Sequence, residues 1–229
     1  MRMNLEVNNW LDTVKVLLSN LGSAKRGHSG YYFESVKLDH FDLQEDPFST
    51  CLYRNPRGKL TTLRKQYLNQ DSLNQIFSSS LVEVSMVGGP KWGSSAGNKH
   101  CMKSLIVDHQ NKSVIINFRN SDFLKKFLVD IYFVKTILAE VGVEGYTYSC
   151  HFDNLTLRLP FVYLFLDSVY QKEGEKSLRS YLSSNNQLIV DFLEYYRKQL
   201  GKNLTYKSLE RAQRIMKGLK SFEVIREYI

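Results

Sequence analysis

Long apolar runs are missing from this chain. The longest, such as Leu159 to Leu166, fall far short of the roughly 20 residues needed to cross a bilayer, so no membrane association is expected. Cysteine is scarce: Cys51, Cys101 and Cys150 form neither an even disulfide framework nor a CxxC spacing, and a reducing compartment is the simpler assumption. The first residues, MRMNLEVNNWLDTVK, carry charges and asparagines where a secretory signal needs its apolar stretch. An intracellular, cytoplasmic protein is therefore the expectation. No internal repeat, low-complexity tract or clear linker breaks the sequence, and no His and Cys spacing supports a zinc site, so no metal is expected. Acidic residues are also short: 31 Lys and Arg against 23 Asp and Glu give a net charge of +8 and a pI near 9.3. That balance favours an anionic partner, a nucleotide phosphate or polymeric nucleic acid, without choosing between them.

What is present is the material of a globular core. Hydrophobic residues make up 43% of the 229 positions and aromatic residues 13%, which predicts a single α+β domain over residues 1–229 that folds alone. Trp10, Leu11, Val14, Leu17, Leu18 and Leu21 recur at helical spacing and stop at Gly22, and Tyr31 to Leu43 reads as strand. Asn55-Pro56-Arg57-Gly58 reads as a turn, Leu63 to Phe77 as helical, and the glycines from Gly88 to Gly93 as a loop carrying Lys91 and Trp92. Leu105-Ile106-Val107, the turn Asp108 to Lys112 and Val114 to Phe118 predict a hairpin. A helix from Phe123 to Leu138, a strand from Tyr146 to Phe152, and a helix from Leu159 to Tyr170 with Pro160 in its first turn follow. Helices over about 186–200 and 206–219 complete a helical C-terminal portion of about 186–229.

The segment richest in site-forming residues is Ser113 to Leu138. A strand there delivers Arg119-Asn120-Ser121-Asp122, and a helix bearing Asp130 follows. In order and spacing, Arg119, Asn120, Asp122 and Asp130 resemble the motif of the thymidylate synthase and deoxycytidylate hydroxymethylase superfamily, in which Arg-Ser-x-Asp ends a strand and a base-reading Asn or Asp lies on the next helix. Asn120 stands in the serine slot. Ser149-Cys150-His151-Phe152-Asp153 is similar to the family's Ser-x-His-x-Tyr segment, with Asp153 in place of the tyrosine. The resemblance covers about a third of the chain.

The resemblance implies a mixed sheet with packed helices, a homodimer, and a pyrimidine nucleotide as substrate. It implies that Arg119 forks onto the 5′-phosphate, that Asp122 lies beside the reacting base, that Asp130 faces the pyrimidine edge, and that His151 holds the sugar hydroxyl. A carboxylate at residue 130 accepts from the exocyclic amine of cytosine, which tilts the choice toward dCMP-like nucleotides. The implied reaction is one-carbon transfer to C5 from 5,10-methylenetetrahydrofolate after a cysteine thiolate attacks C6. Ungapped counting from Arg119 puts Lys99 in the cysteine slot and Cys101 two residues later, which makes Cys101 the candidate nucleophile. Arg26, Lys91 and Lys99 are candidates for further phosphate contacts.

The same residues have plainer uses. Ser121 or Asp122 suits the N-cap of the following helix, and Cys101 and Cys150 suit small buried positions. Lys207, Arg211, Arg214 and Lys217 line one side of a C-terminal helix, as a solvated face or as a phosphate-contacting one. The alternative function is accordingly a non-catalytic descendant of the fold that binds nucleic acid or a protein partner through its basic surface.

Overall fold

The computed structural model describes residues 3–5, 9–27, 30–42, 56–67, 75–76, 79–86, 101–183 and the single positions 188, 191, 221 and 224. It is a mixed α/β structure of the α+β class. The chain forms two compact units interleaved along the sequence: unit 1 is Met1–Val16 with Tyr32–Thr156, and unit 2 is Leu17–Tyr31 with Leu157–Ile229.

Unit 1 is built on a mixed sheet. Its strands are β1 (Met3–Leu5), β3 (Gly30–Phe41), β4 (Leu81–Ser85), β5 (Met102–Asp108), β6 (Ser113–Asp122) and β7 (Thr147–Arg158), in the order β1-β3-β7-β6-β5-β4. β4, β5 and β6 run antiparallel, whereas β6 pairs with β7 in parallel, Ser113 opposite Thr147 through Asp122 opposite Thr156. The expected hairpin is present: the Asp108 carboxylate accepts from the backbone N–H and side-chain amide of Asn111 at 2.9 and 2.8 Å, closing the turn that sets the β5/β6 register. A parallel pair needs a crossover, and residues 123–140 supply it as a π-helical turn, Phe123–Phe127, running into α3 (Leu128–Glu140). α1 (Trp10–Ser19) starts where Asn9 caps the backbone N–H of Asp12 at 2.9 Å.

The core of unit 1 is a set of phenylalanine rings. Phe127 meets Phe41, Phe118, Phe123 and Phe152 with centroids 4.4 to 6.0 Å apart, in the edge and offset arrangements that aromatic quadrupoles favour. Phe118 and Phe152 stack at 5.0 Å as cross-strand neighbours.

Several expectations shift. Asn55-Pro56-Arg57-Gly58 does not hold as a turn: α2 spans Pro56–Tyr67, because proline at the first helical position loses only an N–H that has no helical partner. The strand expected to end at Phe152 continues to Arg158, since Asn154 to Thr156 pair with Asn120 to Asp122. β4 lies in a stretch with no sequence-based strand expectation, yet it alternates, with Val82, Val84 and Met86 buried and Glu83 and Ser85 exposed.

Unit 2 contains β2 (Lys25–Gly27), α4 (Leu159–Glu173) with Pro160 in its first turn, and α5 (Glu175–Ser183), a helix without a sequence-based expectation. Gly30 is required here: a Cβ on it would meet the Leu157 carbonyl oxygen at 2.2 Å. The Asp167 carboxylate accepts from the Ser221 backbone N–H at 2.7 Å and from its hydroxyl at 2.8 Å. The helices expected over 186–200 and 206–219, with the Lys207 to Lys217 stripe, lie outside the described residues. Among the described residues no helix is long and apolar enough to cross a membrane.

Candidate functional site

The end of β6 turns the chain through Asp122. Its carboxylate accepts from the Lys125 backbone N–H at 3.3 Å, so the capping use of this residue is realised, on a π-helical turn. The wider turn buries Phe123, Leu124 and Phe127 together, with Phe123 and Phe127 stacked at 4.4 Å. Single π turns recur at functional sites because they re-aim side chains that a regular helix would place elsewhere. The residue re-aimed here is Lys126.

The ammonium of Lys126 donates to the thiol sulfur of Cys101 at 3.0 Å. Cys101 immediately precedes β5, and its carbonyl accepts from the Arg119 backbone N–H at 2.7 Å, which fixes it beside the end of β6. Asp130 lies one helical turn beyond Lys126 and is 2% exposed, while Asp122 is 4% exposed. Burial alone would push the Lys126 ammonium toward neutrality. The negative charge of Asp130, then that of Cys101 with its hydrogen bond, then that of Asp122, outweigh it and hold the amine above its ordinary value. The result is a half-buried thiol, a charged amine and two buried carboxylates in one place.

Sequence reasoning finds three of these four residues. It misses Lys126, whose one available signal is its spacing of one turn before Asp130. Of the expected site residues, Cys101, Asp122 and Asp130 come together around Lys126. The Arg119 backbone N–H donates to the Cys101 carbonyl, and His151 pairs with Asn117 on the neighbouring strand.

Polar side chains also meet across β5, β6 and β7. The Asn117 amide donates to Ser104 at 3.0 Å, and Lys103 pairs with Asp153 at 2.9 Å, so the residue in the tyrosine slot holds an ion pair. Asp39 bonds Lys37 at 2.9 Å and accepts from Ser149 at 3.3 Å. Partial burial works against its charge, but the Lys37 contact, the Ser149 hydroxyl and the positive field of His151 hold the carboxyl below its usual value. Asn120 is exposed, and its side-chain oxygen accepts from Thr156 at 3.2 Å.

In unit 2, Arg26 lies 2.5 Å from the buried Asp191 carboxylate, which also accepts from the Tyr31 hydroxyl at 2.5 Å. Arg26 thus pairs with a buried acid. Lys91 and Lys99 lie outside the described residues. Cys150 is buried, and that burial pushes its thiol well up, so it is an inert core residue beside the partly exposed Cys101. Among the described residues no cluster of three His, Cys, Asp or Glu could hold a metal ion.

Compared with known proteins, the chain matches no protein-family model and no curated protein.

Proposed function

We propose that the chain is a pyrimidine nucleotide-binding protein of thymidylate synthase-like fold whose working group is the Cys101 thiol, and that it transfers a one-carbon unit to C5 of a dCMP-like nucleotide. The observation that carries this reading is the 3.0 Å contact between Cys101 and Lys126. A cysteine attacks through its sulfur, and here the ammonium lies within hydrogen-bond distance of that sulfur. Addition of that thiolate to C6 of a pyrimidine would make C5 nucleophilic toward the methylene of methylenetetrahydrofolate; the C5 proton would then leave, tetrahydrofolate would depart with the electron pair of the C–N bond, water would add to the exocyclic methylene, and the sulfur would be expelled from C6. Asp122 and Asp130 keep Lys126 protonated throughout, so the cation is not lost when the sulfur is consumed. The reading rests on the thiol.

The test is mass spectrometry of the whole chain after incubation with 5-fluoro-dCMP or 5-fluoro-dUMP and methylenetetrahydrofolate, with calorimetry on dCMP, dUMP, CMP and UMP. The expected result is a covalent adduct lost in Cys101→Ser and tighter binding of the cytosine nucleotides. No adduct together with no binding of the four nucleotides overturns the proposal.

The net charge of +8 favours a second reading, in which the protein binds nucleic acid without chemistry. It requires oligonucleotide affinity that falls steeply with added salt; salt-insensitive or undetectable binding removes it.

A further inference from the structure

Away from the thiol cluster, unit 1 contains a cleft of about 490 Å³ between the end of β3, the second half of α3 and the start of β7. Its volume is within the range of small-molecule sites. The wall that leads into β7 is shaped by Gly142 and Gly145, at φ 77° and 71°, a backbone that other residues adopt only with strain. Tyr146 and Tyr148 give the cleft an aromatic lining, and its other titratable groups are Asp42, Glu144, Lys135 and His40.

Two observations define what fits. In a chain of net charge +8, this cleft carries two carboxylates against one ammonium, with His40 as its one imidazole. Moreover, the Lys135 ammonium lies 5.4 Å from the centre of the Tyr148 ring and 3.6 Å from the Asp42 carboxylate. The chain's own side chain therefore demonstrates that this position accommodates a cation, between a ring face and an acid. Lys135 sits on a flexible four-carbon stem and is 34% exposed, so it can swing into solvent at small cost.

We propose that this cleft binds a small organic cation, a primary ammonium on an apolar stem, with Asp42 and the Tyr148 ring as its acceptors and Lys135 as a built-in competitor for them. Glu144 adds a second negative charge for a ligand with an amine at each end. The inference is independent of the thiol chemistry.

Isothermal titration of the full chain with cadaverine tests it, with glutarate, a dianion of the same carbon number, as the charge control. Cadaverine is expected to bind and glutarate not. Lys135→Ala is expected to tighten cadaverine binding roughly 3- to 30-fold, the gain from removing one exposed cation–π contact and one surface ion pair. Asp42→Asn, at a position 58% exposed and so safe for folding, is expected to weaken binding. Tyr148→Phe keeps the ring and is expected to bind as the native chain does. No cadaverine binding in the native chain and Lys135→Ala alike, weaker binding in Lys135→Ala, or glutarate binding as tight as cadaverine overturns the proposal.

Discussion

Cys101 and Lys126 meet at 3.0 Å although 25 positions separate them in sequence. The hairpin makes the meeting possible: β5 runs back along β6, so that Met102 lies opposite Phe118, and the residue before β5 arrives where β6 turns into the helix. The π turn then rotates Lys126 onto the sulfur. Neither element alone would bring the amine to the thiol.

Lys126→Met is expected to slow alkylation of Cys101 by iodoacetamide at neutral pH by up to about tenfold, because the sulfur loses the ammonium that donates to it. Quenched-flow labelling with peptide mapping measures the rate at this cysteine alone. An unchanged rate would show that the contact does not activate the sulfur.

The same substitution leaves Asp122 and Asp130 buried without the compensating ammonium, and is expected to destabilise the fold by about 2 to 3 kcal/mol in urea melts. Lys126→Met combined with Asp130→Asn should recover part of that loss, because the second change removes the stranded charge. Simple additivity of the two single variants would contradict electrostatic coupling between them.

Burial pushes the Tyr148 phenol up to about 12, against an ordinary value of 10.0. Since the folded-state value is raised, the stabilisation is complete below pH 10 and is lost as pH climbs from 10 through 12, where the unfolded chain ionises first. The loss from this residue is on the order of 2 kcal/mol. Tyr148→Phe should flatten the alkaline limb of a stability profile measured by denaturant titration, though not abolish it, because burial also raises Tyr31 and Tyr163. An unaltered limb would count against the assignment.

Much of the α+β fold was legible because period and punctuation agree. In β5 and β6 the apolar residues and the Asp108 to Lys112 turn point to one hairpin, whereas α1 ends at Ser19, short of the expected stop at Gly22, which lies in a 3-10 turn, Leu21–Ser23. Pro56 misleads because proline signals both a turn and the start of a helix. The site was legible as residue types but not as geometry. Cys101 and Lys126 stand 25 positions apart, and the β5/β6 pairing that brings them together leaves no mark in their spacing. Lys126 stayed hidden because an ordinary helix after Asp122 gives no cue to the extra residue that a π turn holds.

The indole N–H of Trp10, a residue only 4% exposed, reaches the carbonyl of Phe123 at 3.4 Å. That carbonyl belongs to the first residue of the turn that carries Lys126. The protein thus contains its own optical reporter: with Trp92, the other tryptophan, replaced by phenylalanine, the emission maximum and lifetime of Trp10 register any rearrangement of that turn, so occupancy of the thiol cluster can be followed in real time without an attached dye.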